Sequence, residues 1–390
     1  MKVLFIMPRF PYPPHKGDQV VAYRRIQTLS ANHDITLLTF YEDDHELEGL
    51  AHLSQYCTAI HTVKLTKLQS WLNVISRGMF SRLPLQVLYY RSRRFNMNLQ
   101  KMFLAEEFDL IHTYSLRMAQ YTKDLAYPKV LELIDSMQLN FERRVQFETG
   151  LKRIVLAQEL KRISAFEQEI GTHFDHMIVA ASADREYLSR YPNVSVVPNG
   201  VSLDEFSPHD KSEKQPHTII FSGNMNYFPN AQAVIWFAEN CLPLIRAKCP
   251  DVIFVIAGKS PSKEVRDLEE PGKIIVTGFV ESMPEQLRKA QVAIAPMQSG
   301  SGIQNKVLEA MACGLPVVTT TLGRGSIQAQ DGTDLLVADS ANDFAAAVCT
   351  LLSDQHRTSV IGASARNFVE QHYSWGIAAQ SVSEIYRELV

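Results

Sequence analysis

Between Glu48 and Glu106 the chain has no acidic residue, although overall it carries 42 Asp and Glu against 39 Lys and Arg. The same interval holds Lys64, Lys67, Arg77, Arg82, Arg91, Arg93, Arg94 and Lys101, mixed with Trp71, Leu72, Val74, Ile75, Met79, Phe80, Leu83, Leu85, Tyr89 and Tyr90. A face meeting an anionic membrane or another anionic partner has this composition, and so has a solvated basic face over buried core. Other scarcities narrow the function classes. No apolar run approaches the ~20 residues that span a bilayer. The run from Val3 to Met7 is too short for a signal-peptide core and meets Pro8, Pro11, Pro13 and Pro14 at once, so a cytoplasmic protein is expected, with the inner face of the cell membrane as the alternative station. Five cysteines, Cys57, Cys241, Cys249, Cys313 and Cys349, lack metal-ligand spacing and suit a reducing compartment. A net charge of −3, with no recognition module, argues against nucleic acid as partner.

What is present is an alternation of strands and helices. Lys2–Met7, a proline-rich loop ending in Lys16-Gly17-Asp18, a helix over about Gln19–Asn32 and a strand at Ile35–Phe40 form the first unit of a parallel doubly wound sheet. Further strands are expected near 59–63, 109–114, 129–134, 176–180 and 194–197, with one long helical stretch from Leu139 to Phe174. Gly17 lies beyond a strand's carboxyl end, where such sheets bind ligands; an ordinary loop residue would stand there too. His112 or Tyr114 at one strand tip and Asp135 at the next are candidate site residues, on the ground that ligand sites gather at one sheet edge.

Pro198-Asn199-Gly200 is a turn signal and 207–216 a polar, proline-bounded linker. After it the alternation restarts, with strands near 218–222, 252–257, 273–277, 292–295, 317–320 and 335–337. The expected architecture is α/β: two doubly wound, Rossmann-like domains facing a central cleft, which is the default ligand site. The domains are set at 1–205 and 206–372, with 373–390 a C-terminal helix packing back on the first. Gly223, Gly258 and Gly278 follow successive strands of the second half, so their loops line one edge of that cleft.

The richest stretch is Pro296–Thr320, PMQSGSGIQNKVLEAMACGLPVVTT. It predicts a strand end, a turn at Ser299-Gly300-Ser301-Gly302, a helix from about Ile303 and a second strand. The helix N-terminus would present free N–H groups to an anion. Ser301 and Gln304 have capping-box spacing. Lys306 and Glu309 fall one turn apart on one face, and Glu309, among Val307, Leu308, Ala310 and Met311, should be half-buried with a polar partner.

The run Gly300–Val318, with Lys306-Val307-Leu308-Glu309-Ala310-Met311-Ala312-Cys313-Gly314 inside it, resembles the donor-binding motif of retaining GT-B glycosyltransferases of family four. Val197-Pro198-Asn199-Gly200-Val201, Phe221-Ser222-Gly223, Ile256-Ala257-Gly258, Val276-Thr277-Gly278-Phe279-Val280 and Asp331-Gly332 fall in the matching order across nearly the whole chain. Gly223-Asn224-Met225 with Tyr227, Pro229 and Asn230, together with Pro11–Asp18, is similar to transferases of polysaccharide assembly clusters, some of them in exosortase-associated systems.

The resemblance implies an enzyme moving a sugar from a nucleotide-diphosphate donor to a glycan or lipid-linked acceptor by front-face displacement, with no metal and no other cofactor. Glu309 would bind the nucleotide ribose. Gly302, Ile303 and Gln304 would face the diphosphate, with Lys306 adding charge, and Gly17, Gly223, Asn224 and Gly258 would let donor approach the backbone. Tyr114 and His112 would line the sugar side as catalytic candidates; Asp135, a candidate from its strand-tip position alone, is the third. Three departures stand out: Ser301 occupies the place of a motif glutamate, and Asn224 and Pro229 the places of a phosphate-binding Arg and Lys. Lys306 then becomes the main phosphate cation, with Arg324 and Lys259 in reserve. A nucleotide-sugar epimerase of the same fold and a non-catalytic nucleotide-sugar-binding protein are the alternatives, and donor incubated without acceptor separates them.

Overall fold

A computed structural model describes residues 1–15, 17–78, 81–134, 136–208, 215–300 and 303–390. The chain divides into two compact units, Met1–Pro198 with Ala378–Val390, and Asn199–Ile377. The first contains β1 (Lys2–Met7), β2 (Asp34–Tyr41), β3 (Ala59–Lys64), β4 (Leu110–Tyr114), β5 (Lys129–Glu132), β6 (His176–Val179) and β7 (Val194–Val196). The second contains β8 (Thr218–Ser222), β9 (Ile253–Ala257), β10 (Ile274–Gly278), β11 (Val292–Ala295), β12 (Val317–Thr319) and β13 (Leu336–Val337).

The spatial orders are β3-β2-β1-β4-β5-β6-β7 and β10-β9-β8-β11-β12-β13. Within the sheets every strand pairing is parallel. Parallel strands carry helices on both faces, which is why Leu4, Ile6, Leu38, Phe40 and Ile111 on one side and Leu131, Met177 and Val179 on another are all buried. The order reverses between β1 and β4 in the first sheet and between β8 and β11 in the second. Crevices at the carboxyl ends of those strands are where open α/β sheets hold ligands.

The unit boundary lies earlier than the expected 205/206. The Val201 amide donates to the Tyr373 carbonyl at 2.7 Å, and Val201 bridges Ser374, which ties 199–205 into the second unit. The long helix expected over 139–174 is two helices, Met137–Phe147 and Gly150–Ile170, interrupted where Glu148 and Thr149 are extended and Gly150 takes φ +61°. In the second unit the helix that starts at Phe228 passes through a π-helical turn, Phe237–Cys241, before Leu242–Arg246. No described helix is long and apolar enough to cross a membrane.

Candidate active site

In the second unit three strand tips are bonded to one another. The Gly223 amide donates to Ala257 O (2.9 Å), Met225 N to Lys259 O (3.0 Å) and Gly258 N to Gly278 O (3.1 Å). Backbones approach so closely that a Cβ on Gly258 would stand 1.7 Å from the Gly223 carbonyl, and Gly258 has φ +148°. Only glycine fits there. The buried Asn230 side chain donates from Nδ2 to the Asn224 carbonyl at 2.9 Å and fixes the loop from the other side. Around this junction lies a pocket of about 470 Å³ lined by Gly223, Asn224, Gly258, Lys259, Phe279 and Glu281 among others. Phe279 is 75% exposed, an apolar ring at the end of β10.

Lys306 backs the junction. Its Cε is 3.4 Å from where a Gly223 Cβ would be, its Nζ sits 5.3 Å from the Phe221 ring centroid, and it donates to Gln304 Oε1 at 2.9 Å. The helix that carries it is Asn305–Ala312, two residues later than expected. Gln304 is its N-cap, in extended conformation and without a side-chain cap bond, so the expected cap at Ser301 is not the start of this helix. Ile303 and Gln304 precede it, half-buried. At the other end Leu315 N bonds Ala310 O (3.1 Å) and Gly314 N bonds Met311 O (2.9 Å), with Gly314 at φ +69°. This is a Schellman termination, and Arg366 Nη1 donates to the Ala312 carbonyl at 2.7 Å beyond it.

Burial lowers the Lys306 ammonium to about 8, with Glu309 pulling the other way. The Glu309 carboxyl is raised by burial to about 7, opposed by Lys306 and reinforced by Glu205, which itself lines the pocket. The expected polar partner of Glu309 is not found: among the described residues no donor is bonded to its carboxylate. A cation and an acid one turn apart are thus held half-buried without forming an ion pair. An anion beside Lys306, or hydroxyls beside Glu309, would be recognised strongly in such surroundings.

Asp135, Ser301 and Gly302 lie outside the described residues. Gly17, expected in a loop, is the exposed first residue of helix Gly17–Leu29. His112 and Tyr114 are fully buried in the first unit and do not line an open site. His112 stacks on Phe5 (4.4 Å between centroids), stands 3.0 Å from Glu132 through Nε2 and 2.6 Å from the Tyr386 hydroxyl through Nδ1. The Tyr114 hydroxyl donates to the Asp18 carbonyl at 3.0 Å, which makes it a positioning group for the helix start at Gly17. Lys259, held in reserve, lines the pocket, whereas Arg324 does not. Asn230, which fixes the Asn224 loop, carries no signal of that role in the sequence beyond its place in the Pro229-Asn230 pattern.

Residues 216–354 match the family model described as glycosyl transferases group 1, a span that carries every strand of the second sheet. A Klebsiella pneumoniae protein described as uncharacterized and encoded in the cps region is 22% identical over 99% of both chains. A phosphatidyl-myo-inositol mannosyltransferase of Mycolicibacterium smegmatis is 28% identical over 49% of this chain and 50% of its own length. The protein is a glycosyltransferase. Its fold is GT-B. Sucrose-phosphate synthase from Thermosynechococcus elongatus superposes with a TM-score of 0.71 at 17% identity, covering 100% of this chain and 99% of that one. Anabaena HepE, solved with UDP and glucose, gives 0.66 at 14% identity over 100% of both chains. Pocket, paired strand tips and the Lys306–Glu309 helix of this glycosyltransferase all lie within the second unit.

Proposed function

We propose that this glycosyltransferase binds a nucleoside-diphosphate sugar on its second unit and transfers the sugar, with retention of anomeric configuration, to a glycan or lipid-linked acceptor in polysaccharide assembly. The observation that carries the reading is the half-buried, unpaired Lys306 and Glu309 beside the Gly223–Gly258 junction. HepE, which shares the fold, holds UDP and glucose, and a relative encoded in a cps region supports the polysaccharide context.

In this assignment the diphosphate lies over the Gly223-Asn224 backbone, its charge answered by Lys306 and by the free N–H groups of helix Asn305–Ala312. Glu309 accepts the ribose hydroxyls. The acceptor hydroxyl attacks the anomeric carbon from the face that the diphosphate leaves; the C–O bond to phosphate breaks as the new C–O bond forms, and the hydroxyl proton passes to the departing phosphate oxygen. Preorganised donors that meet the developing charge on that oxygen lower the barrier, and no metal is required by this scheme. With Ser301 in place of a second acid, the sugar hydroxyls are met by other groups. The enzyme would work in the cytoplasm, at the inner membrane face where lipid-linked acceptors are presented.

Glu309→Ala should weaken binding of UDP, GDP or ADP, whichever binds the wild type, by about 10- to 100-fold in calorimetry, the worth of one or two hydrogen bonds to a charged group. Unchanged affinity would sink the ribose role. The anomeric configuration of the product, read by NMR, decides retention, and an altered sugar in donor incubated alone would favour epimerisation.

A further inference from the structure

The switch point of the first sheet, between β1 and β4, has its own basic pocket. Arg9 follows β1, and Arg117 follows β4 on a tip where Ser115 takes φ +78°, a conformation that a non-glycine residue holds only under constraint from its surroundings. Both guanidinium groups act on Tyr90: their charges oppose the upward push of burial on its hydroxyl, and Arg117 Cζ lies 6.0 Å from its ring centroid. Arg9 is paired with Asp18 at 2.6 Å. Arg117 is not paired; its Nε and Nη2 both donate to Gln86 Oε1 (2.9 and 2.8 Å), and among the described residues no carboxylate lies within ion-pair distance. These groups line a pocket of about 330 Å³ whose wall is apolar, made by Trp71, Val74, Leu85 and Tyr89, with Glu42 its one acid among the described residues.

Trp71 belongs equally to a second feature. In helix Lys67–Gly78, Leu68, Trp71, Leu72 and Ile75 are 73%, 57%, 56% and 73% exposed. Spacing of i, i+3, i+4 and i+7 puts them on one stripe. Four large apolar side chains bared in a row exceed the scattered exposure ordinary for a soluble surface. The opposite side is held down: Ser70 is buried, and Asn73 Nδ2 donates to the Arg91 carbonyl at 2.8 Å. In the same helix and the segment that follows it, Lys67, Arg77, Arg82, Arg91, Arg93 and Arg94 are exposed, and among the described residues none has a carboxylate within ion-pair distance. An apolar stripe in a segment rich in unpaired cations complements an anionic lipid surface, whose headgroups meet the charges while the stripe enters the acyl boundary.

We infer that helix Lys67–Gly78 lies flat on an anionic bilayer and that the adjoining Arg117 pocket takes the phosphate of a lipid-linked acceptor from it. Trp71, shared by stripe and pocket, leads the lipid chain from one to the other. The inference rests on the proposed transfer for the word acceptor; its test needs no donor, so failure of donor binding and failure of membrane binding are read separately.

The full chain is sedimented with vesicles of phosphatidylcholine, the same with phosphatidylglycerol, and the same with a long-chain polyprenyl phosphate. Binding is expected only to the two anionic preparations, falling as salt screens the cations, with a blue shift of Trp71 fluorescence. Leu72→Glu with Ile75→Glu should reduce binding at least about tenfold, from the loss of two inserted side chains, without moving the thermal midpoint, since both are exposed. Arg117→Gln should keep phosphatidylglycerol binding and lose the added affinity for polyprenyl phosphate. Equal binding to neutral vesicles, no binding, or a double variant that binds like wild type overturns the membrane assignment. A dimer in sedimentation velocity that the same double variant dissolves overturns it too, by assigning the stripe to a second copy. Arg117→Gln without effect overturns the pocket assignment.

Discussion

Each unit of this glycosyltransferase buries an acid beside a cation, and the two pairs behave in opposite ways. In the first, Arg25 is fully buried and donates to Glu132 through Nε at 3.2 Å and Nη2 at 2.7 Å, while His112 stands on the other carboxylate oxygen at 3.0 Å. Burial alone would raise the Glu132 carboxyl, but Arg25 and His112 outweigh it and hold the group at about 2. In the second, Lys306 and Glu309 are near enough to influence one another and too far apart to pair, so burial moves both toward neutrality, to about 8 and about 7. A charge answered by its own fold is structure; a charge left half-buried and unanswered is a candidate for a ligand.

The largest effect tests the structural pair. Glu132→Gln leaves the Arg25 guanidinium buried against a neutral amide, and removal of one partner of such a pair costs about 3–5 kcal/mol. Urea unfolding of the variant should show a loss of that size, while nucleotide affinity measured well below the transition stays at the wild-type value. A loss under about 1 kcal/mol would mean the network is not what holds the β4–β5 region together.

Why the sequence misled at His112 follows from the same network. A polar residue near a parallel strand's tip looks alike whether it meets a ligand or a distant part of the chain. Here the partner is Tyr386, 274 residues away in the C-terminal helix Trp375–Leu389. That helix is also tied to the first unit by His33 Nε2, 2.9 Å from Ser383 Oγ. No local spacing announces either contact, nor the Arg25–Glu132 pair, 107 residues apart. Strands were legible because a parallel strand buried on both faces is a short apolar run with a turn signal after it: the expected 218–222 and 292–295 are β8 and β11 without adjustment. The Asn305–Ala312 helix was legible in its end, where Gly314 and Pro316 enforce termination, and less so in its start. Gln304 is a cap by conformation alone, with no side-chain bond to give it away. The amphipathic helix Lys67–Gly78 was visible only as composition, since basic residues among large apolar ones do not say which face turns outward.

A smaller effect separates the two pairs on function. Lys306→Met replaces a half-buried ammonium by a side chain of similar length that needs no solvation. Stability should hold within about 1 kcal/mol or rise, because among the described residues no carboxylate lies within ion-pair distance of that charge. Affinity for a nucleoside diphosphate should fall about 10- to 100-fold, the value of a charge-assisted bond to phosphate. Calorimetry and urea unfolding on one preparation give both numbers. A variant that unfolds as easily as Glu132→Gln and still binds nucleotide would reverse the roles assigned to the two clusters.

The smallest effect reads the Glu309 carboxyl directly. Its pKa of about 7 in the fold, raised by burial against the pull of Lys306 and with the push of Glu205, compares with about 4.3 for an unfolded glutamate. A raised acid is one whose proton the folded chain binds more tightly than the unfolded chain. Its contribution to stability is therefore full below about pH 4.3 and is lost progressively as pH rises to about 7. Lys306 runs the other way: lowered by burial to about 8, it burdens the fold below that pH and relieves it as pH climbs toward about 10.4. Glu309→Gln keeps the shape and cannot ionise, so it removes the acid's slope together with its upward pull on Lys306. The stability of Glu309→Gln minus that of wild type should grow by an amount on the order of 1–2 kcal/mol between pH 4.5 and pH 7.5, and the lysine's window should open at a lower pH than in wild type, because the upward pull of Glu309 on Lys306 is lost. A difference that stays flat across the lower window would show that the carboxylate already has its partner within the folded chain, and Glu309 would then belong with Glu132 rather than opposite it.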